Sequence, residues 1–185
     1  MRARLVTLAA AVAAGYRLVE RGGLTVDAGL GRRVRPLGPL RVAMATSTET
    51  VFDVIAGPYL GRTPHAFEAK LTVLERGSDM VLAAHHTQVG ARTVTTVETV
   101  RFTRPERVDF RLVRGPVPHV VESYSLHATA TGTELVYTGE IGADLWALGS
   151  WWAGLVGASW ERTVAASLEQ VRLEAERRAG RRPTL

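Results

Sequence analysis

The chain has 185 residues, of which 46% are hydrophobic, a formal net charge of +5 and no Cys. This length is typical of a single domain with short extensions, since domains cluster at about 100–150 residues. The absence of Cys from the sequence excludes disulfides and thiolate metal sites.

The positive charge lies in the two tails. Residues 1–41 contain eight Arg against Glu20 and Asp27, a balance of +6, and residues 172–185 carry +3. The segment between them, residues 42–171, is therefore acidic, at −4. Because the basic pI comes from the tails and not from the body, we expect no nucleic-acid partner.

The N-terminus has basic residues followed by an apolar run over residues 5–16, as a signal peptide does. This run is shorter than the about 20 residues that span a bilayer. A signal peptide does not need a helical stripe, yet the large apolar side chains form one, at Leu5, Leu8, Val12, Tyr16 and Val19. We therefore predict an amphipathic helix over residues 4–21, ended by Gly22-Gly23.

The role of this helix stays open between docking on its own domain, on a partner and on an anionic membrane. We expect a cytoplasmic protein, with membrane association of the N-terminal helix as the alternative. A Gly-, Arg- and Pro-rich connector over residues 29–39 follows the helix and is predicted to be irregular.

Beyond the connector, the sequence predicts one strand, one helix and then a series of hairpins. Leu40–Ala45 is predicted to be a strand, and residues 49–56 a helix that Ser47 or Thr48 caps and Gly57-Pro58 stops. Between Ala69 and Ala143, alternating strand-like segments are separated by short turn sequences. These turns lie at residues 76–79, 89–90, 104–106, 115–118 and 131–132.

After Asp144 the apolar period changes from two to three or four, which predicts one long helix. Its apolar stripe comprises Leu145, Leu148, Trp152, Val156, Trp160, Val164, Leu168, Val171 and Ala175. Trp146 and Trp151 lie off this stripe. Each interior Gly costs a helix about 1 kcal/mol relative to Ala, so close packing is expected at Gly149, Gly154 and Gly157.

The element order and residues 48–55 (TETVFDVI), a polar cap before an apolar helix, resemble the START-like superfamily. This group, also called SRPBCC, includes polyketide cyclases/dehydrases and lipid carriers. The resemblance covers about residues 39–179. It implies an α+β helix-grip fold: an about seven-stranded antiparallel sheet wrapped around a long C-terminal helix, here with an extra N-terminal helix. Because the group includes carriers, receptors and enzymes, the resemblance does not fix an activity.

We accordingly divide the chain into three parts. Residues 1–38 hold the amphipathic helix and the connector, residues 39–180 the START-like domain, and residues 181–185 a basic tail.

Shared strand parity predicts one buried sheet face against the C-terminal helix, formed by Val100, Phe102, Val108, Phe110, Leu112, Leu126, Leu135 and Tyr137.

Two carboxyl groups interrupt otherwise apolar strand faces. Pairing through the predicted turns places Glu98 opposite Leu112, and Glu122 opposite Gly139, whose missing side chain leaves room. The backbones at Glu98 and Glu122 would then lie about 12 Å apart. A carboxyl on a buried face must be neutral, paired or hydrated. Each is therefore either an acid/base group or ligand anchor, or a structural ion pair or hydrogen-bond acceptor.

Neighbouring His85 and His86 point to opposite faces of their strand, so at most one imidazole faces the interior. His86 shares its parity with apolar Met80, Leu82 and Ala84. The candidate catalytic residues are therefore Glu98, Glu122, His86 and Tyr124.

The leading hypothesis is that a cavity between sheet and C-terminal helix binds an apolar or amphipathic small molecule, lipid or polyketide-like. The predicted ligand-binding residues are Glu98, Phe102, Phe110, Glu122, Tyr124, Tyr137, Trp152, Val156 and Trp160. One alternative is a cyclase or dehydratase that uses Glu, His and Tyr for proton transfer. Another is a structural or membrane-surface protein with a collapsed cavity. Since nucleotide-loop, nucleophile-elbow and zinc motifs are absent from the sequence, we expect no metal and no cofactor.

Overall fold

The computed structural model describes residues 13–61, 70–89 and 91–180. Helix α1 covers residues 13–20, α2 covers Thr48–Leu60 and α3 covers Trp146–Ala179. The strands are β1 Arg33–Met44, β2 Leu71–Arg76, β3 Met80–Val89, β4 Arg92–Thr103, β5 Arg107–Arg114, β6 His119–Thr129 and β7 Gly132–Ala143.

The seven strands form one antiparallel sheet in the order β1-β7-β6-β5-β4-β3-β2. Strands β2 to β7 follow one another as hairpins, and each of the five predicted turns separates two of them. Helix α3 packs against β1, β7 and α2. The predicted α+β helix-grip fold is therefore confirmed.

The core lies between the inner face of the sheet and the two helices α2 and α3. The predicted set on the inner face is confirmed, since all eight side chains belong to one apolar cluster with Val164 and Leu168 of α3. Six of them are buried, and Phe102 and Leu112 are partly buried.

Helix α2 is longer than its sequence predicts. Ser47 caps it as expected, but the helix runs through Gly57 and Pro58 to Leu60. The predicted stop was wrong because proline removes only its own N–H from the hydrogen-bond ladder, and this proline lies in the last turn. The extension carries Tyr59 to the core.

Strand β1 begins earlier than predicted, inside the expected irregular connector. Its first residue, Arg33, already pairs with Ala143 at the end of β7. A register shift between Leu37 and Leu40 accommodates Gly38-Pro39 within the strand. The predicted division between residues 38 and 39 therefore falls inside β1.

The apolar stripe predicted for α3 is wrong at its first two positions. Leu145 precedes the helix in a left-handed conformation, and both it and Leu148 are exposed. Buried Gly149 and Ala153 take the inner positions instead. A side chain at position 149 would collide with the carbonyl oxygen of Asp144, so only glycine fits there. From Trp152 onward the stripe meets the core as predicted.

The other predictions for α3 are confirmed except at one glycine. Trp146 and Trp151 are exposed, as expected for residues off the stripe. Close packing is confirmed at Gly157, where a Cβ would meet the Arg35 guanidinium, whereas Gly154 has open space around it.

The N-terminal helix ends where predicted, since Gly22 adopts a left-handed conformation after α1. Tyr16 is exposed and Val19 is partly buried, whereas the stripe positions Leu5, Leu8 and Val12 lie outside the described residues. Buried Glu20 forms an ion pair of 2.8 Å with Arg92 of β4. No helix in the described part of the chain is long and apolar enough to cross a membrane.

Candidate functional site

A row of aromatic rings crosses the inner face of the sheet. We refer to it as the aromatic row, which consists of Tyr137, Tyr124, Phe110, Tyr59 and Phe102. The Tyr124 ring centroid lies 5.7 Å from that of Tyr137 and 5.0 Å from that of Phe110. Tyr59 of α2 continues the row, at 6.1 Å from Phe110 and 5.9 Å from Phe102. These spacings are those of interacting rings.

Helix α3 faces the aromatic row with Trp152, Val156 and Trp160, which are partly buried against the core. The Trp152 indole N–H donates to the carbonyl of Pro116 at 2.8 Å, which fixes this part of α3 to the β5–β6 connection. The structure thus places the predicted ligand-binding side chains on two facing surfaces.

The first polar cluster of the inner face is built around Glu98. Its Oε1 accepts a hydrogen bond from the Thr96 hydroxyl at 2.7 Å, and its Oε2 lies 3.1 Å from Nδ1 of His85. The other ring nitrogen of His85, Nε2, lies 2.9 Å from the hydroxyl of Tyr59. Both oxygens of Glu98 and both nitrogens of His85 therefore have partners.

Electrostatics favours the charged forms of both Glu98 and His85. Burial acts to raise the pKa of Glu98, but the charge of His85 and the hydrogen bonds to Glu98 hold that pKa below its ordinary value. Burial acts to lower the pKa of His85, but the negative charge of Glu98 and its hydrogen bond raise that pKa overall. The charged form of each group therefore stabilises the charged form of the other.

The second polar cluster is built around Glu122 of β6. Its Oε1 accepts hydrogen bonds from the Tyr137 hydroxyl and from the Trp160 indole N–H, both at 2.7 Å. Gly139 lies opposite, as predicted, and a Cβ there would approach the Glu122 Cγ to 3.1 Å. Within the described ranges, Oε2 of Glu122 has no hydrogen-bond partner, so this oxygen is available to a ligand.

Burial and the negative charge of Glu98 raise the pKa of Glu122 to about 7. The hydrogen bonds from Tyr137 and Trp160 act in the opposite direction but are weaker. Both protonation states of the carboxyl are therefore populated near neutral pH. Since Oε1 already accepts two hydrogen bonds, Oε2 is the oxygen suited to carry the proton.

Tyr124 lies between Phe110 and Tyr137 in the aromatic row. Burial and the negative charge of Glu122 raise the pKa of Tyr124 well above its ordinary value, so its hydroxyl stays protonated. In the part of the chain that the structure describes, this hydroxyl has no hydrogen-bond partner. It is thus a second free hydrogen-bonding group, on the same strand as Glu122.

Several side chains of the two facing surfaces are only partly buried. The His85 side chain keeps 21% of its surface accessible although it lies on the inner face. Tyr124, Trp152 and Trp160 are also only partly buried. These side chains belong to the facing surfaces of the sheet and α3, and part of each stays accessible to solvent.

The prediction that His86 faces the interior is wrong. His86 bonds Thr72 and Thr95 through its two ring nitrogens, at 3.1 and 3.0 Å, on the opposite face of the sheet. The β3–β4 register places Ala83 opposite Glu98, so it is His85 that reaches the carboxyl. Glu98, Glu122 and Tyr124, the other candidate catalytic residues, lie on the inner face.

Tyr59 is a residue of this site that was not predicted from the sequence. Tyr59 lies four residues after Ile55 and seven after Phe52, both buried, so it continues the buried face of α2. That spacing could have identified it had the helix not been ended at Gly57-Pro58.

No protein-family model matches this sequence, and no curated protein matches it. Solved structures do match. The ZhuI aromatase/cyclase from Streptomyces sp. R1128 is 20% identical with a TM-score of 0.64, over 80% of this chain and 96% of that one. Norcoclaurine synthase from Thalictrum flavum is 11% identical with a TM-score of 0.58, over 83% and 90% of the two chains.

A third match is StfQ, a di-domain aromatase/cyclase of the steffimycin pathway, at 16% identity and a TM-score of 0.57. It covers 81% of this chain and 52% of StfQ. At these identities the likeness shows the fold and leaves the activity open. The fold inferred from the resemblance is confirmed: this chain has the helix-grip fold that the ZhuI and StfQ aromatase/cyclases and norcoclaurine synthase share.

Proposed function

We propose that this protein binds an apolar or amphipathic small molecule, lipid or polyketide-like, between the sheet and α3. The observation that carries the proposal is the aromatic row facing Trp152 and Trp160, with the free Oε2 of Glu122 beside it. A mostly apolar surface with a few polar groups is typical of small-molecule sites.

The polar groups favour a ligand with oxygen atoms. The Tyr124 hydroxyl donates a hydrogen bond, and the carboxyl of Glu122 donates one when it is protonated. A carbonyl or hydroxyl oxygen beside Glu122, with the rest of the molecule against Phe110, would use both kinds of surface. The norcoclaurine synthase of the same fold was solved with dopamine and hydroxybenzaldehyde, both small aromatic molecules.

Titration with a hydroxyanthraquinone, followed by the quenching of tryptophan fluorescence, tests this proposal. We expect saturable binding, and we expect Tyr124→Phe to weaken it by about three- to tenfold because one hydrogen bond is lost. Tyr16→Phe is the matched control, since that tyrosine is exposed on α1. Equal affinities for the two variants, or quenching that does not saturate, would contradict the proposal.

The second candidate function is a cyclase or dehydratase, and the titration of Glu122 near neutral pH favours it. As a carboxylate, Glu122 can take a proton from the carbon next to a ketone. As an acid, it can return that proton to a β-hydroxyl, so that a double bond forms and water leaves. Near neutral pH the carboxyl can act in both roles.

An aryl β-hydroxyketone is a suitable probe, because loss of water gives a conjugated enone that absorbs in the near ultraviolet. We expect Glu122→Gln to abolish enone formation and Glu75→Gln, an exposed carboxyl on β2, to leave it unchanged. Equal rates for these two variants would exclude Glu122 from the reaction.

The other expectations stay predictions. They are the cytoplasmic location, the contact of the N-terminal helix with a membrane and the outer domain boundaries. The contrary case to ligand binding, a structural or membrane-surface protein with a collapsed cavity, also stays a prediction. Native mass spectrometry of gently purified protein separates the first proposal from the contrary case, since a co-purifying small molecule requires an open cleft.

A further inference from the structure

One end of the sheet lies beside the start of α3, and we refer to it as the basal end. At this end β1, β2, β4 and β6 begin and β3, β5 and β7 finish. The paired residues that mark it are Arg33 with Ala143, His119 with Gly142, Val97 with Arg114, and Arg92 with Val89.

Residues 13–32, which we refer to as the lead-in, run along the basal end and are attached to it. The Arg92 guanidinium lies 5.5 Å from the ring centroid of Tyr16. Further along, the Thr25 hydroxyl bonds both the N–H and the carbonyl of Gly115, at 2.8 and 3.1 Å. The backbone N–H groups of Ala28 and Gly29 then donate to the Asp144 carboxylate. The lead-in is therefore part of this surface.

The exposed apolar side chains are concentrated at the basal end. Sixteen large hydrophobic residues are exposed in the described ranges, and all but Leu60, Leu74 and Leu173 belong to the lead-in, the basal strand ends or the start of α3. Leu30 and Leu145, both exposed, are joined by a backbone hydrogen bond of 2.8 Å. Exposed hydrophobic residues on a monomer are usually scattered over its surface. Their concentration at one end of the sheet is typical of an interaction surface.

Helix α3 contributes the most exposed part of this surface. Leu148, Trp151 and Leu155 are 62%, 61% and 51% exposed, and their spacing of three and four residues places them on one helical face. Exposed Arg162 follows on the same face seven residues after Leu155. Leucine and tryptophan with flanking arginine are typical of a helix that lies in a membrane interface.

The charges at the basal end are unbalanced in favour of arginine. Its carboxylates already have partners: Glu20 pairs with Arg92, and Asp27 and Asp144 pair with Arg32. Glu140 of β7 is hydrogen-bonded to His119 at 2.7 Å. In contrast, four exposed arginines form no ion pair within the described ranges, namely Arg17, Arg21, Arg33 and Arg114. The surface is therefore apolar and positively charged.

We propose that the basal end docks on an anionic lipid bilayer, with Leu148, Trp151 and Leu155 in the interface and the unpaired arginines on lipid phosphates. An anionic surface complements these arginines, whereas in a symmetric dimer the same positive charges would face each other. The inference does not depend on the proposed ligand, and it assigns the contact to the start of α3 and the lead-in.

Co-sedimentation with phosphatidylcholine vesicles, with and without phosphatidylglycerol, tests the apolar part. We expect binding to the anionic vesicles at low salt and its loss at high salt. The double variant Leu148→Ser/Leu155→Ser should lower the partition coefficient about tenfold or more, since two large side chains leave the interface. Leu173→Ser is the matched control, because Leu173 is similarly exposed at the far end of α3 and should bind as wild type.

Arg33→Gln tests the charged part. Removing this charge should lower the partition coefficient about fivefold, whereas Arg111→Gln, an exposed arginine in the middle of β5, should change it little. All these positions are exposed, and thermal unfolding of each variant shows that the fold is kept.

Three results would overturn the inference. They are the absence of vesicle binding, equal binding to neutral and anionic vesicles, and equal loss for Leu148→Ser/Leu155→Ser and Leu173→Ser. A dimer in sedimentation equilibrium that the double variant dissociates, without vesicle binding, would assign the surface to a second copy instead.

Discussion

Two carboxyl groups of the inner face, Glu98 on β4 and Glu122 on β6, show how neighbours decide the chemistry of a buried acid. Both are buried, with 5% and 6% of their surface exposed, and both lie on strands of the same sheet. The pKa of Glu98 is nevertheless lowered, and the pKa of Glu122 is raised to about 7.

The difference comes from the partners and not from burial. Glu98 faces a histidine that can carry a positive charge, and both of its oxygens are bonded. Among the residues that the structure describes, Glu122 accepts hydrogen bonds only from the neutral groups of Tyr137 and Trp160, and only on Oε1. Glu98 is therefore suited to hold His85 and Tyr59 in place, whereas Glu122 is suited to meet a ligand.

The largest expected effect is that of removing the positive partner. His85→Ala leaves the Glu98 carboxyl buried without its counter-ion, which should lower the free energy of unfolding by about 3–5 kcal/mol. His86→Ala, on the opposite face of the same strand, is the control and should cost much less. Urea unfolding of the two variants at neutral pH measures the difference, and similar midpoints would mean that the ion pair is absent.

Glu122→Gln should change how stability depends on pH. A raised pKa in the folded protein means that the neutral carboxyl stabilises the fold below its ordinary pKa of about 4.3 and that this stability is lost as the pH rises through about 7. The full loss amounts to about 3–4 kcal/mol, since one unit of pKa corresponds to about 1.4 kcal/mol. Glutamine has no such loss, so near pH 8 the variant should be more stable than wild type.

Urea unfolding at about pH 5 and about pH 8 makes this measurement. Glu75→Gln is the control, since an exposed carboxyl should change neither value. If wild type and Glu122→Gln show the same pH dependence, Glu122 does not titrate near neutral pH.

A smaller effect is expected from Trp160→Phe, which removes one hydrogen bond to Oε1 of Glu122. This bond lowers the pKa of the carboxyl, so its loss should move the pKa further upward and cost about 1 kcal/mol of stability. The exposed Trp151 allows a matched control, Trp151→Phe. In urea unfolding at several pH values, the pH at which stability falls should be higher than in wild type for Trp160→Phe and unchanged for Trp151→Phe. A fall at lower pH in Trp160→Phe would mean that the indole raises the pKa of Glu122 and does not lower it.

The smallest effect is expected from Thr96→Val, which removes a hydrogen bond to Glu98 but keeps the charged partner. We expect a loss of about 0.5–1.5 kcal/mol, well below that of His85→Ala. Thr99→Val, on the other face of β4, is the control. If Thr96→Val cost as much as His85→Ala, hydrogen bonding and not the ion pair would hold Glu98.

The cross-strand partners of both carboxyls could be predicted from the sequence. Short turns fix the register of antiparallel hairpins, so the partners Leu112 of Glu98 and Gly139 of Glu122 could be predicted and are confirmed. The alternation of apolar residues likewise identified the inner face, including Phe110 and Tyr137.

The partners that separate the two carboxyls could not be predicted in the same way. Strand β3 is apolar on both faces, with Val81 and Ala83 on one and Leu82 and Ala84 on the other, so parity alone could not choose between its two histidines. The choice depends on the β3–β4 register, which is a tertiary property. Tyr59 depends on a helix that continues through a proline.

The start of α3 illustrates a different limit. By spacing alone, Leu148 fits the apolar stripe. In the structure the helix approaches Asp144 so closely that the inner position has space only for Gly149, and Leu148 is exposed. A hydrophobic period predicts which residues share a helical face, but not how near the helix lies to the sheet.

Titration of the glutamate side-chain carboxyl carbons by NMR tests the central claim most directly. The signals of Glu98 and Glu122 can be assigned with Glu98→Gln and Glu122→Gln. We predict a midpoint of about 7 for Glu122 and a midpoint below the ordinary value of about 4.3 for Glu98. Midpoints that coincide, or a Glu98 midpoint above that of Glu122, would contradict the account.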